Sequence, residues 1–319
     1  MIELKSDMLQ FSFPDVHPDA KMSIDFQRTL RIPDDGGEYP LPAGLGRFPL
    51  RHVDDFGGRA PALWLERGGI MLPMYQSEAM WLNFRPVAAD GRRSSYPFAV
   101  KVAAGKVNAV SGEEWTAGVH RDPQDYMVIP AQPWLDGFCV ERGLIRQFVA
   151  MPLGAGYSAE EQLTGAARHG GLQIAVFPMK REVFETRFPK TDRVGRHAFS
   201  PAAMPAPLAC PLPDMGLAPG GRMRQEIRED RFEMGDWDLR NGSRCFVHLA
   251  NSLLWRMITG ENPPTTPPTT REYAEAGLPW FDLYAADREA LLGSKVLAGL
   301  KSVADLGGLG KEQVREGRF

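Results

Sequence analysis

The densest group of chemically competent side chains in the sequence is His52-Val53-Asp54-Asp55. An imidazole beside two carboxylates can ligate a divalent cation or exchange protons with a substrate. In an extended segment His52 and Asp54 share a face and Asp55 points away. No second cluster follows at ligand spacing, so a solvated or hydrogen-bonded turn is the competing expectation. His120 with Asp122 and Asp125 is a sparser grouping of the same kind. The histidines never stand at i, i+4 and never form H-E-x-x-H, the helical zinc pattern.

Glu160 and Glu161 are adjacent carboxylates behind the small-residue loop Gly154-Ala155-Gly156-Tyr157-Ser158. The loop lacks the GK[ST] end of a phosphate loop, and Gly156-Tyr157-Ser158-Ala159-Glu160 departs from G-x-S-x-G at its last position. Ser158 with Glu161 three residues on fits a helix capping box, and a ligand-contacting loop is the alternative. The third candidate is an anion or interface patch made of Gly220, Gly221, Arg222, Arg224 and Arg228. Glycine backbone beside guanidiniums can hold a carboxylate or phosphate. Glu226, Glu229 and Asp230 lie next to these arginines, so a self-compensated strand face, or one that meets another subunit, is expected there.

The elements that would position these groups are mostly strands. Met22, Ile24, Phe26, Leu30 and Ile32 alternate along a half-buried strand, with Arg28 alone breaking the apolar series. Two hairpins are expected, one around Gly105 and one around Gly143. Leu144–Met151 and Gly171–Met179 are the most strand-like runs and suggest the middle of a sheet around the Glu160-Glu161 loop. Phe246, Leu249, Ala250, Leu253, Leu254 and Met257 fall on one helical face, which predicts a helix from an Ser243 N-cap to a Gly260 C′ residue. A short helix capped by Thr270 and a last helix over 286–303 are also expected. Residues 186–221 are punctuated by prolines and read as a linker or an arm toward a partner subunit.

The chain has 319 residues, 37 basic against 40 acidic, for a net charge of −3. That length suits about two domains or one large one. The balanced charge gives no electrostatic footprint for nucleic acid. Cys139, Cys210 and Cys245 are far apart and form no CxxC, which fits free thiols in a reducing compartment. No basic-then-apolar leader opens the sequence, and no apolar run reaches the ~18 residues of a membrane span. A soluble, cytoplasmic protein without cofactor is the expectation.

The segments QDYMVIPAQPWLDGF (124–138), RQFVAMPLGAGYSAEEQLTG (146–165), GGLQIAVFPMK (170–180) and GRMRQEIRED (221–230) resemble segments of a widespread, uncharacterised family of bacterial proteins. The resemblance extends from residue 22 to the PWFDLY run near the C-terminus. It implies one evolutionary unit and transfers no activity or catalytic residue.

The sequence therefore predicts an α+β, β-dominated fold. An antiparallel sheet or sandwich occupies 1–185, a Pro-rich arm 186–221, and a strand plus helices packed on the first domain 222–319. The expected role is a non-enzymatic binding or self-assembling protein, with a homo-oligomer as partner and neither nucleic acid nor membrane. The alternative is a metal-assisted hydrolase, or another enzyme, using the carboxylate and histidine groups above.

Overall fold

Alternation at period two decides the architecture. In Lys21–Thr29, Met22, Ile24 and Phe26 turn inward, and in Phe98–Ala104, Phe98, Val100 and Val102 do the same. The computed structural model of the chain describes residues 1–188, 214–263, 266–275, 277–278, 280–281 and 289–307. Within them, a ten-stranded sheet runs in the order Ile2–Lys5, Met8–Ser12, Lys21–Thr29, Ala79–Pro86, Leu144–Pro152, Met215–Arg224, Glu38–Tyr39, with three short strands off this path. A seven-stranded sheet runs Val107–Asn108, Phe98–Ala104, Leu172–Pro178, Ser243–Ala250, Ile70–Pro73, Arg51–His52, with Met127–Ile129 beside Phe98–Ala104. Pairing is antiparallel except where Met215–Arg224 meets Glu38–Tyr39 and where Ser243–Ala250 meets Ile70–Pro73. The fold is thus α+β and β-dominated, as the alternation predicts.

One buried cluster draws Met22, Ile24 and Phe26 from the first sheet and Val100, Ile174 and Val247 from the second. The two sheets therefore pack face to face, each large core side chain contributing roughly 1.5–3 kcal/mol. The same core takes Ile227, Leu249 and Leu297 from the C-terminal third, so residues beyond 222 help build the sandwich itself.

Both hairpins form, with Gly105 and Gly143 at positive φ. The two central strands do not share a sheet. Leu144–Pro152 lies in the first and Leu172–Pro178 in the second, so the Glu160-Glu161 loop crosses from one layer to the other. The helix expected from Ser243 is also corrected. Ser243–Ala250 is a strand between Leu172–Pro178 and Ile70–Pro73, and the helix is Ser252–Thr259, capped by Asn251. Cys245, Val247 and Leu249 satisfy a period of two while Phe246, Leu249 and Ala250 satisfy the helical spacing, and backbone pairing on both edges settles the competition. Gly260 is left-handed at the helix end, as its sequence position suggests.

Thr269 rather than Thr270 caps the helix Thr270–Glu275, through reciprocal bonds with Glu272. The expected helix over 286–303 is observed only as Lys295–Ala298, and residues 282–288 lie outside the described residues. Gly293 stands at φ 80° against the Glu141 backbone, 2.5 Å from where a Cβ would sit, which interrupts any longer helix. Of the Pro-rich stretch, residues 189–213 lie outside the described residues, while Met215–Gly221 belongs to a central strand. No described helix is long and apolar enough to cross a membrane.

Candidate functional site

A cleft of about 270 Å³ opens where the edge of the second sheet meets the helix Ala62–Arg67. His52 pairs with Ile70 in the edge strand, and Ile70 runs beside Val247, which brings Arg244, Cys245 and Phe246 to the same opening. The helix is anchored by Trp64. Its buried indole stacks on His248 at 4.7 Å, and its N–H donates to Asp214 Oδ2 at 2.9 Å. Gly68 takes a positive φ just past the helix and donates back to the Trp64 carbonyl.

That anchoring delivers Arg67 to the cleft. Its Nη1 donates to the His169 carbonyl at 3.1 Å and its Nη2 to the Arg168 carbonyl at 3.0 Å. The Arg67 guanidinium lies 5.9 Å from the centroid of the half-buried Phe246 ring, and the Arg244 guanidinium lies 5.3 Å from it. Such cation–π contacts hold long side chains over an apolar floor. Among the described residues, neither arginine makes a direct ion pair with a carboxylate, although Arg67 acts through space on the Asp214 carboxyl against its burial. The exposed His52 and Asp54 line the same cleft. Burial pushes the Cys245 thiol up to about 12, so a neutral thiol lines the wall. Burial holds His248 at about 4, with Arg67 adding repulsion, and its Nε2 faces the Gly68 carbonyl at 2.9 Å. Burial also raises the Asp214 carboxyl. The arrangement offers guanidinium and imidazole donors to an anion.

His52 and Asp54 are thus brought together, while Asp55 lies outside the cleft. Among the described residues no three His, Cys, Asp or Glu side chains are placed to share a metal ion. Glu161 completes a capping box with Ser158, whose hydroxyl accepts from the Glu161 N–H. Glu160 points the other way and is buried, accepting from the N–H groups of His169 and Gly170 and facing His169 Nδ1 at 2.6 Å.

The arginines of the Gly220 to Arg228 patch are engaged within the chain, Arg224 by donating to the Glu38 carbonyl at 3.5 Å. Arg222 reaches Glu38 at 3.4 Å and Glu141 at 3.3 Å, and Arg228 donates to the Ala131 carbonyl. Gly220 and Gly221 are buried. A Cβ on Gly221 would come within 2.3 Å of the Pro33 carbonyl, so these glycines serve packing rather than an open anion nest.

Two ion pairs buried in the sandwich bring in Lys101 and Glu78, which the sequence candidates do not include. Lys101 lies under the 111–120 loop, where its ammonium meets Asp125 Oδ2 at 2.5 Å and donates to the Thr116 carbonyl at 3.1 Å. His120 faces the same carboxylate at 3.1 Å, while Asp122 turns toward a separate cleft with Arg121 and Gln124. Arg28 and Glu78 form the other pair, at 3.1 Å. Arg67, Arg244 and Phe246 also escape a reading by motif. They come from elements far apart in sequence, and only the adjacency of Arg244 to Phe246 is visible in the chain.

No family model matches the chain, and no curated protein or solved structure matches it significantly.

Proposed function

We propose that this is a non-enzymatic binding protein, and that its cleft at Arg67, Arg244 and His52 holds a small molecule through a phosphate or carboxylate group. The observation that carries this reading is the pair of guanidiniums, Arg67 and Arg244, 5.9 and 5.3 Å from the Phe246 ring centroid in one cleft, with no direct carboxylate ion pair to either among the described residues. Two arginines held against one ring without a direct carboxylate contact repel each other, and an anion bound by both relieves that repulsion. Asp54 at the rim can accept from a hydroxyl or amine elsewhere on the ligand.

Calorimetric titration with inorganic phosphate, phenyl phosphate, acetate and benzoate tests the reading and separates the two anion classes. Arg67→Ala and Arg244→Ala each remove a charged donor worth roughly 1.5–3 kcal/mol, so affinity should fall about tenfold or more. Binding that is unchanged in both variants, or the lack of binding by all four anions, would sink the proposal.

The same reading places the chain in the bacterial cytoplasm as a homo-oligomer. Its support is the near-neutral charge and the exposure of two large apolar side chains, Leu292 (74%) and Val296 (47%). Light scattering should give a mass above that of one chain, and a strict monomer at all concentrations contradicts the assembly.

A further inference from the structure

We infer that Glu160 is a positioning residue for the anion cleft, acting on Arg67 through the two peptide units that join Arg168, His169 and Gly170; this rests on the anion-binding reading above.

The argument is the geometry of a trans peptide, in which N–H and C=O point in opposite directions across one plane. The 168–169 peptide donates its His169 N–H to Glu160 Oε1 at 3.1 Å and presents its Arg168 carbonyl to Arg67 Nη2 at 3.0 Å. The 169–170 peptide donates its Gly170 N–H to Glu160 Oε2 at 2.9 Å and presents its His169 carbonyl to Arg67 Nη1 at 3.1 Å. Two consecutive peptides are therefore held between a carboxylate on one side and a guanidinium on the other. Their dipoles line up from anion to cation, so each charge strengthens the hydrogen bonds of the other.

The arrangement is built rather than incidental. Glu160 is 3% exposed, and His169 Nδ1 lies 2.6 Å from Oε1, which fixes the loop's side chain as well as its backbone. Gly105 faces this carboxylate, and a Cβ there would come within 2.4 Å of Glu160 Oε2. Arg67 is thereby oriented by two carbonyls, which are neutral and leave its guanidinium without a directly bonded carboxylate that would compete with a ligand. A carboxylate in direct contact would hold the side chain equally well and cancel that charge. Glu160 supplies the rigidity from beyond the peptide layer, where its own charge is spent on three donors.

Titration with inorganic phosphate of the wild type, Glu160→Gln, Arg67→Ala and the double variant tests the relay. Glu160→Gln should weaken binding about tenfold in the wild-type background and leave binding unchanged in the Arg67→Ala background, a non-additive cycle that a general loss of stability does not produce. Glu160→Asp, which keeps the charge on a shorter arm, enters the same cycle if Glu160→Gln fails to fold. Additive losses, or a Glu160 variant that binds phosphate as the wild type does, would overturn the relay while Arg67→Ala still weakens binding. If Arg67→Ala and Arg244→Ala both bind as the wild type does, the anion site itself is wrong.

Discussion

The guanidinium of Arg28 meets the carboxylate of Glu78 at 3.1 Å on the core-facing side of the first sheet, in line with Met22, Ile24 and Phe26. Arg28 also lies 6.0 Å from the Phe48 ring and donates to the Thr266 carbonyl, while Glu78 accepts from the Tyr75 N–H. Burial pushes the Glu78 carboxyl up to about 7, against the opposing pull of Arg28. Ser77, immediately before it, stands at φ 67°, in the left-handed region that a side chain rarely adopts.

Breaking a buried pair leaves one charge without compensation, at a cost on the order of 3–5 kcal/mol. Arg28→Met and Glu78→Gln should each lower stability by that order in urea unfolding. The double variant should lose clearly less than the sum, because neither charge is then stranded. Additive losses in this cycle would show that the two groups do not act as a pair.

Asn251 marks the junction where the Ser243–Ala250 strand becomes the Ser252–Thr259 helix. Its Oδ1 accepts from the N–H groups of Leu253 at 3.1 Å and Leu254 at 2.9 Å. Asn251→Ala should cost about 1 kcal/mol of stability, the usual worth of an N-cap. An unfolding midpoint unchanged from wild type would show that the cap contributes nothing.

How much of this was legible in the chain depended on whether the deciding contact was local. The capping box at Ser158 and Glu161 closes within three residues and was readable, as were the hairpins at Gly105 and Gly143. Arg28 announced itself as a charge on an apolar strand face, but its partner Glu78 is fifty residues away and nothing near Glu78 marks it. The segment from Ser243 satisfied two periods at once, and only the strands on either side decide between them. The cleft at Arg67 and Arg244 was the least legible part. It joins a helix end, an edge strand and a central strand, and the buried carboxylate of Glu160 is linked to Arg67 only through backbone atoms that any residue supplies. His52 and Asp54 carried a visible signal, yet among the described residues no third side chain joins them in a metal-holding group, and arginines share their cleft.

Asp136 is buried, and its carboxyl accepts from the Gln225 side-chain N–H at 2.7 Å. Burial pushes its carboxyl from 3.8 up to about 7. The native chain therefore keeps a proton that the unfolded chain releases between pH 4 and 7, so this group's contribution to stability falls as pH rises through that window. At 1.36 kcal/mol per pKa unit the full effect is on the order of 4 kcal/mol. Asp136→Asn keeps an acceptor for Gln225 and removes the titration. Relative to wild type, it should gain stability steadily from pH 4 to 7. A constant difference across that range would show that Asp136 is ionised in the native protein.

His248 works in the opposite direction over nearly the same range. Burial holds its imidazole at about 4, below the ordinary 6.5, so the unfolded chain takes up a proton that the native chain refuses. Its contribution is complete above pH 6.5 and is lost as pH falls toward 4, on the order of 3 kcal/mol in full. The wild-type profile should consequently be flatter than either group alone would make it, since Asp136 gains on acidification what His248 loses. Asp136→Asn should expose a steeper acid loss. His248→Gln, which retains a donor for the Gly68 carbonyl, should remove that loss and gain stability relative to wild type as pH falls from 6.5 to 4. Urea unfolding of the three proteins across pH 4–7 checks both signs. Parallel curves for His248→Gln and wild type would mean that the imidazole protonates in place, and that its stack on Trp64 tolerates the charge.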